Sequence, residues 1–92
     1  VGARVLLVDD EVAIINVAAP LLRHLGYTPT VFHDPRAALQ RLRAEPASFD
    51  VLVTDYTMPG MTGLELAAAA RAIRPDLPFI LMTGYLRNLE LA

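Results

Sequence analysis

The sequence contains no lysine, no cysteine and no tryptophan, and no apolar run long enough to cross a membrane. Without cysteine there is neither a disulfide framework nor a thiolate metal site. Without lysine all 8 basic residues are arginines, so no side-chain ammonium is at hand to pair with an anion. The apolar stretches fall short of the roughly eighteen residues of a membrane span. Residues 1–8 set an arginine inside a short apolar strand, which is not a signal-peptide pattern. These absences lead us to expect a soluble, cytoplasmic segment that makes no membrane contact of its own. Excess positive charge is missing too. The chain carries 10 acidic residues against 8 basic ones, a formal charge of −2, and no basic stripe, which argues against direct nucleic-acid binding.

What is present fits one small folded domain: 92 residues, 54% hydrophobic and 20% charged, far from the composition of a disordered chain. The apolar pattern changes period several times. Residues 4–9 (RVLLVD) form a nearly continuous apolar run, as in a strand covered on both faces of a parallel sheet. Ile15, Ala18, Ala19, Leu22 and Leu25 then follow helical spacing up to a stop at Gly26, with Pro20 inside the helix as a weak point. Residues 28–32 read as a second strand, and Asp34 with Pro35 forms a helix start. Arg36, Arg41 and Arg43 are expected on the solvated face of that helix.

A third strand over residues 50–54, an alanine-rich helix over 64–73 and a fourth strand over 77–82 continue the alternation. This β-α-β-α-β-α-β order predicts an α/β fold with a parallel sheet and right-handed crossovers. Residues 85–92 are placed as the start of a fourth helix. Residues 79–82 are apolar on both faces, which suits an interior strand. The natural domain is therefore expected to continue by a strand and a helix, roughly thirty residues. By the same argument residues 1–92 form a C-terminally truncated domain whose uncovered strand favours a homodimer or a domain swap.

In open parallel sheets ligands bind outside the carboxyl ends of the strands, which draws attention to Asp9, Asp10, Asp55 and Thr83. Taken singly each has an ordinary explanation. Asp10 could cap a helix, Asp9 could be a solvated loop acid, and Asp55 and Thr83 stand beside turn residues. If the first and third strands are neighbours, three carboxylates share one crevice and require protonation or a cation. An oxygen-only ligand set selects a hard ion, best Mg²⁺, and a carboxylate beside it can attack phosphorus.

The segments Val5-Leu-Leu-Val-Asp-Asp-Glu11, Asp55-Tyr-Thr-Met-Pro-Gly-Met-Thr-Gly63 and Leu81-Met-Thr-Gly84 closely resemble the response-regulator receiver family of two-component signalling. The resemblance runs over about residues 4–85. It implies a flavodoxin-like, doubly wound sheet of order 2-1-3-4-5, of which the fifth strand and last helix are missing here. It implies a phosphoacceptor that takes a phosphoryl group onto Asp55 from a histidine kinase or phosphotransfer domain. It assigns Asp10 as a direct Mg²⁺ ligand and Asp9 as an acid acting largely through water. Thr57 would offer its carbonyl to the metal, and Thr83 its hydroxyl to the phosphoryl group. Met58, Pro59, Gly60 and Gly63 would give the loop its shape. The family's lysine and aromatic switch residue on the fifth strand have no counterpart in the sequence. The Met-Thr-Gly-Tyr ending at Tyr85 is similar to receivers attached to hybrid sensor kinases.

His24 and His33 read as surface residues, and Met58 and Met61 as packing. Three rival functions are weaker. An aspartate-nucleophile phosphohydrolase of the haloacid-dehalogenase type needs a second acid two residues after the nucleophile, where Thr57 stands. A non-phosphorylated interaction module fits the missing lysine but not the intact acids. A dinucleotide-binding domain would need glycines between the first strand and its helix, where this chain has acids.

Overall fold

The computed structural model describes residues 2–82. Four strands, β1 (Arg4–Val8), β2 (Thr28–Phe32), β3 (Val51–Asp55) and β4 (Phe79–Met82), form one parallel sheet of order β2-β1-β3-β4. Three helices connect them: α1 (Val12–His24), α2 (Pro35–Ala44) and α3 (Gly63–Ile73). Thr83, the proposed fourth helix and any fifth strand lie outside the described residues. No described helix is long and apolar enough to cross a membrane.

Because side chains alternate across a strand, β1 feeds two cores. Leu6 and Val8 join Leu52, Leu39, Leu42, Leu66 and Phe49 under α2 and α3, while Val5 and Leu7 meet Ile15 and Ala19 of α1 on the other face. This explains the continuous apolar run read from the sequence. Each fully buried leucine or valine contributes about 1.5–3 kcal/mol relative to exposure, so the central strands anchor the domain.

Element starts and ends follow local chemistry. The Asp34 carboxylate accepts the Arg36 amide, and Pro35 opens α2, as expected. Helix α3 begins one residue before the expected start because Thr62 and Glu65 form a capping box, each side chain accepting the other's backbone N–H. Helix α1 begins at Val12, after Glu11, with no side-chain cap, and its chain reverses at Gly26 with φ 93°. It runs through Pro20, whose missing N–H falls on the exposed side of the helix. Leu25, expected on the apolar face, is 60% exposed. Strand β4 starts at Phe79 rather than Leu77, since the Leu77 amide closes a turn on the Arg74 carbonyl while its side chain is buried. Within the described sheet β4 is an edge, and Ile80 is 57% exposed.

At the amino end of the sheet, Arg4 clamps β1 to the start of β3. Its amide and Nε donate to Asp50 Oδ2 at 2.7 and 3.1 Å, and Nη2 donates to Oδ1 at 3.0 Å. These bonds hold the Asp50 carboxyl down at about 2, against an ordinary 3.8. A lowered acid stabilises the fold above its unfolded value and loses that contribution as pH falls toward its folded value. The wild type should therefore out-melt Asp50→Asn at neutral pH, with the gap closing between roughly pH 4 and 2. Melting curves across that range check this, and a gap independent of pH would contradict it.

Candidate functional site

The pairing of β1 with β3 places the acids. Val8 is in register with Thr54, so Asp9 follows beside Asp55 at the carboxyl end of the sheet. Asp9 continues the face of Val5 and Leu7, and Asp55 that of Val51 and Val53, so strand alternation sends both toward the α1 side. Asp10 comes next in the turn to α1. One carboxylate oxygen each from Asp9, Asp10 and Asp55 lie within 4.8 Å of one another. The structure thus brings together the three acids singled out in the sequence.

Local contacts hold each acid in place. Asp9 is buried, only 2% exposed. Its amide donates to the Phe32 carbonyl at 3.1 Å, and its Oδ1 accepts the Glu11 amide at 2.9 Å. Asp55 ends β3, half-buried. Beyond it the Tyr56 amide donates to the Met82 carbonyl at 2.8 Å, and the Gly63 amide donates to the Tyr56 carbonyl at 2.7 Å. The buried Thr54 hydroxyl donates to the Asp55 carbonyl at 3.0 Å. Met58 is sunk in the core and pins the intervening loop, while Thr57 stays exposed. Both methionines read as packing do pack, Met61 partly buried against the same core.

Burial pushes the Asp9 carboxyl above its ordinary range, against the Glu11 amide, and repulsion from Asp55, Asp10 and Glu11 adds to the rise. Burial likewise raises Asp55, opposed by the Tyr56 amide and reinforced by Asp10 and Glu11. Two such charges at 4 Å and an effective dielectric of 20 repel by roughly 4 kcal/mol. A cation relieves that repulsion. The donor set is all oxygen, and its 4.8 Å spread is one that a small hard ion can bridge directly or through its waters. The residues therefore fit a divalent cation of the Mg²⁺ kind.

Thr83 lies outside the described residues. His33, expected as an ordinary surface histidine, is exposed, yet its Nδ1 is 3.1 Å from the Asp9 carbonyl. Its position directly after β2 was the available signal, because the rule that points to strand ends applies to β2 as well.

Residues 5–90 match the response regulator receiver domain family. The response regulator receiver protein CpdR of Brucella abortus is 39% identical over 82 residues, covering 89% of this chain and 67% of that protein. The chain spans only 13%, 14% and 22% of three longer two-component response regulators of Arabidopsis thaliana. Among solved structures, the receiver domain of the hybrid histidine kinase CckA is 36% identical with a TM-score of 0.82, over 89% of this chain and 76% of that one. The response regulator TrrA of Thermotoga maritima, solved with Mg²⁺-BeF, is 31% identical with a TM-score of 0.81, over 94% and 75%. TrrA has also been solved in complex with the histidine kinase ThkA. With nearly the whole chain matched by the family and the strand order and acid crevice in place, the chain belongs to the response regulator receiver domain family.

Proposed function

We propose that Asp55 is the phosphoacceptor and that Asp9, Asp10, Asp55 and the Thr57 carbonyl hold Mg²⁺ beside it. The convergence of the three carboxylates at the ends of β1 and β3 carries this reading. Bound there, Mg²⁺ would offset the clustered charge and tie phosphoryl oxygens to the protein. An Asp55 carboxylate oxygen attacks phosphorus, forming an acyl phosphate. The bond from phosphorus to the donor breaks, and its electron pair leaves with the donor. The Glu11 amide holds the Asp9 carboxylate in place, which keeps the crevice in shape. Thr83 would donate its hydroxyl to the transferred group.

The donor would be a histidine kinase or a phosphotransfer domain, by analogy with TrrA and its kinase partner. The same reading makes the chain a switch rather than a turnover enzyme, placed in the cytoplasm. A small phosphodonor supplied with Mg²⁺ tests it by intact mass: one added phosphoryl group is expected, dependent on the metal. No gain under any condition would favour the non-phosphorylated interaction module.

Metal binding has its own readout. Mg²⁺ should raise the melting temperature, because it binds the folded acids and not the unfolded chain. Asp10→Asn should weaken that response while raising metal-free stability by about 1 kcal/mol, less than a bare pair because Asp10 is half in solvent. Melting series against Mg²⁺ decide this, and identical responses in the two proteins would contradict it.

A further inference from the structure

His33 is the first residue after β2, on the strand beside β1, and so stands at the same end of the sheet as the acids. Its Nδ1 lies 3.1 Å from the Asp9 carbonyl oxygen. A carbonyl can only accept, so Nδ1 carries the hydrogen and donates. That carbonyl belongs to the peptide joining Asp9 to Asp10. The peptide on the other side of Asp9 is held through its N–H by the Phe32 carbonyl at 3.1 Å. Adjacent residues at the end of β2 therefore grip both peptides flanking Asp9, while the Glu11 amide grips its side chain at 2.9 Å. Two neighbouring acids facing a third repel, and a free turn would relax by rotating the Asp9–Asp10 peptide until the carboxylates splay. The His33 bond opposes that rotation.

We infer that His33 is a positioning residue that fixes the Asp9–Asp10 peptide and thereby presents both carboxylates to a divalent cation. This rests on the metal reading above. It goes beyond that reading by placing a residue outside the acid cluster in control of its geometry, as outer partners of metal ligands commonly are. The role requires a donor at the Nδ1 position and nothing else of the imidazole. Asparagine carries its amide nitrogen on the same Cγ and can supply that donor, whereas alanine and leucine cannot.

The test is calorimetric titration of the whole chain with Mg²⁺ alone, for wild type, His33→Ala, His33→Leu and His33→Asn, beside metal-free melting of each. His33→Ala and His33→Leu should bind Mg²⁺ about tenfold more weakly, the scale seen when an outer partner of a ligand is lost. Their metal-free melting should stay close to wild type, because the side chain is exposed. His33→Asn should recover most of the affinity. Equal affinity in wild type and His33→Ala would overturn the inference, as would a lower metal-free melting temperature with unchanged affinity, the mark of a merely structural bond. Failure of His33→Asn to recover affinity would overturn the donor role. Absence of Mg²⁺ binding in the wild type would instead defeat the metal reading and this inference with it.

Discussion

Asp55→Asn, with Asp9 and Asp10 left unchanged, is expected to abolish the Mg²⁺-dependent gain of a phosphoryl group from a small phosphodonor. Asparagine keeps the size and shape of the side chain but replaces the attacking carboxylate oxygen with a weakly nucleophilic amide, so the acyl phosphate has no route of formation. The fold should not suffer. Asp55 is an acid whose charged form is disfavoured by burial and by Asp10 and Glu11, so neutralising it removes repulsion. Metal-free melting of the variant should equal or exceed that of the wild type. Intact mass with and without donor measures the first effect, and an undiminished gain in the variant would move the acceptor elsewhere.

Gly63→Ala is expected to destabilise the domain by about 1–3 kcal/mol, in the range of overpacking a closed site. A Cβ at Gly63 would stand 2.2 Å from the Asp55 carbonyl oxygen, 2.9 Å from its carbon and 3.0 Å from the Tyr56 Cα. All three are backbone atoms at the end of β3, so none can swing aside as a flexible side chain would. The helix cannot back away either, because the Gly63 amide is bonded to the Tyr56 carbonyl at 2.7 Å. The strain falls on the backbone of Asp55, the proposed acceptor, so phosphorylation should slow along with the loss of stability. Helix propensity alone gives the opposite sign, since alanine in place of glycine favours a helix by up to about 1 kcal/mol. Urea unfolding separates the two, and a stabilised variant would show that the close approach does not hold.

The sheet and the acid cluster are legible in the sequence for a common reason: residues 5–8 are apolar on both faces, and only a strand covered on both sides uses such a run. The resemblance then supplied the strand order that makes Asp9 and Asp55 neighbours, and the β1–β3 register agrees with it. Smaller features escaped. Helix α3 starts at Gly63 because Thr62 and Glu65 satisfy each other's backbone, a reciprocal bond that apolar periodicity does not register. Leu77 reads as strand because it is apolar, but it is buried from within a turn. His33 carries only the general mark of a residue at a strand end, because its partner is a main-chain carbonyl 24 residues away that no side-chain spacing reveals.

The most direct test of the central claim is to locate the transferred group. After phosphorylation with Mg²⁺ and a small phosphodonor, hydride reduction converts an aspartyl phosphate into homoserine, which survives digestion and sequencing by mass spectrometry. The account predicts homoserine at position 55 and at no other acid. Homoserine at position 9 or 10, or phosphate carried by His24 or His33, would contradict it.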